Sequence, residues 1–273
     1  QRWDLGRFRY AHRQTFDFQC NWKLAVENFM DNYHIFNVHP KLNQMYVPAA
    51  RTLAYPGGIH LMLSNRLAGP GRGLTLDSEG PILPGLEGLS EETNLIGPTV
   101  ALFPNVTMTI SPGNLQFINF EPDGPDHCFM NMWFYFVDDA ANVPEHETAR
   151  QMVYSEWAAL NHEDEGVCRR MQEGRGCDAY DGGRFAPFWD IGTLHFHKQI
   201  AEAIQQMWKQ TLHIDVGLFN QEWKVYLDTV NKIKYDVARA GWIGDYNDPN
   251  TFLDMWLTGG GNNQTGWSNA RYD

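Results

Sequence analysis

The residues of this 273-residue sequence best suited to act together are two histidines and a pair of carboxylates. His34 and His39 lie five positions apart at the end of one apolar-periodic segment, and Glu163 and Asp164 adjoin in another. Two neutral imidazoles and one carboxylate form the facial set that holds Fe(II) and leaves positions open for O2. In a regular α-helix five residues advance about 500°, which sets the two rings roughly 140° apart. They can share an ion only if the helix is distorted by a π-type turn or ends between them, and Pro40 favours an ending. On spacing alone, two hydrogen-bonded structural histidines would look the same.

The elements that must position these residues can be read from periodicity. Tyr10 to Cys20 alternates Phe16 and Phe18 with Asp17 and Gln19, the pattern of a half-buried strand. Asn21 is a candidate N-cap for a helix over Trp22–Val38, with Pro40 marking its limit. Short strands are expected at 52–55 and 59–63, within a Gly- and Pro-rich excursion over 41–98 of the kind that often forms a lid. Four β-rich runs, 99–103, 106–111, 115–121 and 128–137, are separated by turn-prone Pro, Gly, Asn and Asp and read as an antiparallel meander. A long helix is expected over 145–172, with further helices over 194–212 and 221–240. The fold class is α+β, as one domain over 1–257 followed by a loose polar tail over 258–273.

Composition limits the functions open to the chain. Lys plus Arg number 21 and Asp plus Glu 33, a net charge of −12, so neither nucleic acid nor an anionic membrane is an expected partner. No apolar run reaches the roughly 18–20 residues of a membrane span. Four cysteines, Cys20, Cys128, Cys168 and Cys177, are too few for a disulfide scaffold, and a reduced cytoplasmic location is expected.

The segment from Asn21 to Pro40 resembles the catalytic domain of Rieske-type non-haem iron oxygenases, the large subunits of ring-hydroxylating oxygenases. Asn21, Trp22, Lys23, Glu27, Asn28, Asp31, Tyr33, His34, His39 and Pro40 fit the pattern N-W-K-x3-E-N-x2-[DE]-x-Y-H-x4-H-P. The likeness continues through Glu163-Asp164, Cys168, Gln172 and Gly174, then Gly183-Arg184 and Leu194-His195-Phe196-His197, so it spans about residues 10–210.

This resemblance implies a helix-grip fold, in which a curved antiparallel sheet wraps a long helix around a cavity. Strands over 100–103, 108–110, 117–120 and 130–136 would line that cavity. It makes His34, His39 and Asp164 the ligands of a mononuclear Fe(II), with Glu163 as the alternative register for the carboxylate. Asp31 matches the acidic residue that links an iron ligand to the iron–sulfur centre of a neighbouring subunit, and Glu27 and Asn28 support the site. The implied reaction is O2-dependent dihydroxylation, monohydroxylation or oxidative demethylation of an aromatic or other small organic substrate. The implied partners are a reductase or ferredoxin electron donor and two further copies in a homotrimer. The C-x-H and C-x2-H pairs that bind a Rieske [2Fe–2S] cluster do not occur here, so that cluster is expected only if the full protein has a further N-terminal domain. His162, His195 and His197 read as structural, and His60 lies in a strand beside the excursion. Two rival readings use the same residues: a metal-free helix-grip ligand-binding module, and a Zn2+ hydrolase at the same triad.

Overall fold

The computed structural model describes residues 3–47, 53–57, 60–67, 81–177, 185–221, 223–238 and 250–273. Seven antiparallel strands form one sheet, in the order β1-β7-β6-β5-β4-β3-β2. They are β1 (Phe8–Phe18), β2 (Leu53–Gly57), β3 (His60–Arg66), β4 (Ile96–Leu102), β5 (Val106–Ile110), β6 (Asn114–Pro122) and β7 (Cys128–Val137). Strands β4 to β7 form the expected meander, β3 and β2 extend it on one side, and β1 joins the other through the register Phe16↔Met130 and Phe18↔Cys128. Alternation gives the sheet one apolar face, with Phe16, Phe18, Ile118, Phe120, Met130, Met132, Phe134 and Phe136 all buried.

The long helix α5 (Glu147–Arg175) packs on that face. Its Val153, Tyr154, Trp157, Leu160 and Cys168 share a core with the sheet, and the Tyr154 ring meets Phe134 edge-on at 4.9 Å. This is the helix-grip arrangement, of class α+β. Cys20, Cys128 and Cys168 are free and buried in the same core, and Cys177 is free and exposed. Hydrogen bonds from the Cys128 and Cys168 thiols push the Cys20 thiol below its usual range.

The segment that carries both histidines departs from the expected single helix over 22–38. Helix α1 (Trp22–Met30) starts on Asn21, whose side chain accepts from the Lys23 N–H at 3.1 Å. It stops at Asp31, which is extended and whose carboxylate accepts from the N–H groups of Tyr33 and His34. That local alternative competes with helix continuation. One turn follows, α2 (Ile35–Val38), and then α3 (Pro40–Met45). His39 between them is held out of the helical region (φ −118°, ψ 72°), as a residue before proline prefers. Pro40 therefore opens a helix at its first position instead of closing one.

The remaining helices are α4 (Glu91–Asn94), α6 (Ile191–Leu212), α7 (Trp223–Asn231) and α8 (Asn250–Leu253). Helix α7 is shorter than the expected 221–240. Ile233 adopts a left-handed φ of 53° and the Lys234 N–H bonds back to the Thr229 carbonyl, a six-residue closure that ends the helix. Among the described residues no helix is long and apolar enough to cross a membrane.

The chain divides into two compact units: Gln1–Glu173 with Gly183–Ile204, and Gly174–Gly182 with Gln205–Asp273. From sequence a single domain over 1–257 is expected. One of the crossings between them falls inside α6, at Ile204–Gln205, where no linker composition marks it. The tail over 258–273 carries several side-chain hydrogen bonds. The Asn263 amide donates to the carbonyls of Trp256, Leu257 and Trp267, the Tyr272 hydroxyl to that of Leu253, and the Thr258 N–H to Asp273.

Candidate metal centre

The break after α1 and the turn at α2 bring the two imidazoles together. Their rings meet edge-on with centroids 5.2 Å apart. Asp164 reaches them from α5, its Oδ1 lying 2.9 Å from His39 Nε2 and 3.6 Å from His34 Nε2. One ligand atom from each of the three residues falls within 4.8 Å of the others. The His39 and Asp164 side chains are only 3% and 8% exposed.

The outer nitrogens are tied as well. His34 Nδ1 faces Asp31 Oδ2 at 3.2 Å, and His39 Nδ1 faces Glu163 Oε2 at 2.7 Å. Each ring thus holds a carboxylate at Nδ1 and turns Nε2 toward Asp164. A partner at Nδ1 fixes the tautomer with its proton there, leaving the Nε2 lone pair for an ion. The arrangement also separates the two adjacent acids. Asp164 lies between the Nε2 atoms, whereas Glu163 is 45% exposed and meets the back of His39. Burial pulls the His39 pKa down, but hydrogen bonds and charge from Asp164 and Glu163 outweigh it, and the pKa is raised above the ordinary 6.5.

Other residues singled out from the sequence fall around this group. Glu27 is buried on α1 and its Oε1 lies 2.9 Å from His197 Nε2, which links α1 to α6. Phe196 beside it is buried against Trp22 and Phe103. His162 is exposed, pairs with Glu165 at 2.9 Å and takes no part in the site. Among the described residues His34, His39 and Asp164 are the one group of three able to hold a metal. Gly183-Arg184 lies outside the described residues, as does the His60 side chain.

A pocket opens beside the triad, walled by Phe29, Leu42, Tyr46, Trp157 and Leu160. From the sheet, the described lining residues are only Thr99 and Thr109. The inward residues of β6 and β7, expected to line it, instead share a core with the apolar stripe of α5.

In this helix-grip domain two histidines and a carboxylate converge beside a pocket, and an N2O donor set of this kind can hold a mononuclear Fe(II). The family described as "Ring hydroxylating alpha subunit (catalytic domain)" matches residues 5–206, and the chain belongs to that family. It is 23% identical over 203 residues to the putrescine 2-hydroxylase of Bordetella bronchiseptica, covering 71% of this chain and 46% of that protein. It is similar in fold to a quaternary ammonium Rieske monooxygenase, with a TM-score of 0.56 at 16% identity over 72% of this chain and 51% of the other.

A second similarity covers the other end. The family "Bacterial extracellular solute-binding proteins, family 5 Middle" matches residues 177–264. The oligopeptide-binding protein OppA of Bacillus subtilis is 48% identical over 77 residues, 28% of this chain and 14% of that protein. The chain therefore spans only a small part of its solute-binding relatives and less than half of the hydroxylase.

Proposed function

We propose that this chain is the catalytic part of a terminal oxygenase, with His34, His39 and Asp164 holding a single Fe(II). The convergence of both Nε2 atoms on Asp164, each ring held from behind by a second carboxylate, carries this reading. When bound, such an iron activates O2 with electrons supplied by a Rieske cluster. Asp31 and Glu163 orient the two imidazoles. Asp164 supplies the anionic donor. Phe29, Leu42, Trp157 and Leu160 form an apolar wall that holds a small organic substrate and excludes water. Asp31 at His34 is also the residue through which we place electron entry from a neighbouring subunit in a homotrimer, with a reductase or ferredoxin upstream. Monohydroxylation is the outcome we favour among the three open to this family, because the relatives named above are a hydroxylase and a monooxygenase.

The test is metal analysis of the protein purified without oxygen, beside His34→Ala. About one iron per chain, lost in the variant, is expected. Stoichiometric iron in His34→Ala, or no iron in the parent after Fe(II) loading, overturns the assignment. In the second case ligand binding indifferent to chelators would restore the metal-free module, and zinc with ester hydrolysis would restore the hydrolase.

A further inference from the structure

We infer that the pocket beside the triad takes a protonated primary or secondary amine, with Glu156 and Asn161 as the residues that recognise its N–H groups. This inference rests on the oxygenase reading of the same site. The first ground is charge. Asp31, Glu156 and Asp164 line the pocket, and no Lys or Arg is among its described lining residues. Asp31 and Asp164 face the histidines. Glu156 stands eight residues before Asp164 on α5, about 12 Å along the helix axis. A carboxylate ligand would meet acids and no lysine or arginine, so the lining selects against it.

The second ground is a buried acceptor. Asn161 is 1% exposed and lines the same pocket, and its Oδ1 has no hydrogen-bond partner among the described residues. Its amide Nδ2 is turned toward the Met132 sulfur, 3.9 Å away. An unpaired buried acceptor asks for a donor, and an apolar ring brings none. A quaternary ammonium also has no N–H to give. A protonated amine supplies both a donor for Asn161 and a charge for Glu156, and Trp157 on the same wall offers an aromatic face to a cation. Asn161 lies one turn from Asp164 and Glu156 two turns from it, on either side of Asp164 around the helix, and all three line the same pocket. Asn28 Nδ2 is also unpartnered among the described residues, and as a donor on α1 it favours a ligand that also carries an acceptor.

The experiment uses the iron-loaded full chain and isothermal titration with four probes of similar size: butylammonium, butyltrimethylammonium, 1-pentanol and pentanoate. Butylammonium should bind at least about tenfold tighter than 1-pentanol, the size of one charge-assisted contact, and pentanoate should not bind. Glu156→Gln should remove that advantage and leave 1-pentanol unchanged. Asn161→Leu should weaken butylammonium and spare butyltrimethylammonium, which separates a lost acceptor from a damaged pocket. Equal binding of pentanoate or 1-pentanol, or a Glu156→Gln variant that still prefers butylammonium, overturns the inference. Equal losses for both cations in Asn161→Leu remove Asn161 from it. Iron content measured on the same samples keeps the two readings apart. Bound iron with no amine preference refutes only the substrate class, whereas iron that never binds refutes the triad.

Discussion

Removing the carboxylate of Glu163 tests the division of labour between two adjacent acids. Glu163 Oε2 holds His39 Nδ1 at 2.7 Å but is 45% exposed, while Asp164 is 8% exposed and lies between both Nε2 atoms. Loss of a residue that orients a metal-binding histidine lowers metal affinity by about 10–100-fold. That is roughly 1.4–2.8 kcal/mol. Solvent around Glu163 can replace part of its hydrogen bond, so Glu163→Ala should fall near the tenfold end. Glu163→Gln keeps an acceptor for the Nδ1–H and should lose less. Asp164→Asn removes the anionic donor itself and should leave no stoichiometric metal. His162→Ala, at an exposed position on the same helix, should change nothing. The assay is anaerobic Fe(II) titration against a competing chelator, with Co(II) absorption as a spectroscopic check on the ligand set. The reasoning is refuted if Glu163→Ala abolishes binding while Asp164→Asn retains it, because the carboxylate register would then be reversed.

Three more outcomes are expected. His39 has a raised pKa, so in metal-free protein its pairing with Asp164 and Glu163 adds stability below the ordinary 6.5, and that stability is lost as pH climbs through the raised value. The ion must displace that proton, so metal affinity should move the other way, rising up to about tenfold per pH unit below the raised pKa and levelling above it; Tm measured with and without metal from pH 5 to 8 should diverge accordingly, and parallel curves would contradict it. Phe134→Ala empties a fully buried site against Tyr154 and should cost about 3–5 kcal/mol in urea unfolding, so a loss under 1 kcal/mol would mean α5 does not pack there. Of the four free cysteines only Cys177 is exposed, so native protein should react with iodoacetamide quickly at one thiol and at four after unfolding.

Much of the fold and part of the site could be read from residue types alone. The Phe16–Phe18 alternation, the turn residues between β-rich runs and the apolar stripe of α5 are local signals, and each strand and long helix of the first unit appears within a few residues of its expected place. The position of Asp164 between two histidines more than a hundred residues away is not local, and only the family pattern pointed to it. The break in the helix was half legible. Pro40 reads as a stop because proline ends helices, yet the residue before it absorbs the break and Pro40 starts α3. The role of Asp31 in ending α1 could have been found, since an Asp two and three residues ahead of two backbone N–H groups is a known competitor of helix. Glu163 behind His39 could not, because which of two adjacent acids faces inward depends on how α5 is rotated against the sheet.

The boundary between the two units shows why composition fails at some junctions. Linkers are recognised by Pro, Gly and charge, because ordinary linkers are exposed and free of regular structure. Here the change of unit falls at Ile204–Gln205 inside α6, in a stretch of good helix formers. Both family similarities cover residues 177–206, so α6 as far as residue 206 satisfies two sequence patterns at once. A deletion of 213–273 should therefore leave the triad intact, since His34, His39 and Asp164 all lie in the first unit. Fe(II) affinity equal to that of the full chain is the expected result. Loss of metal from a deletion variant that keeps its far-UV spectrum would show that the second unit supports the site, and would end the view that the oxygenase domain stands on its first unit alone.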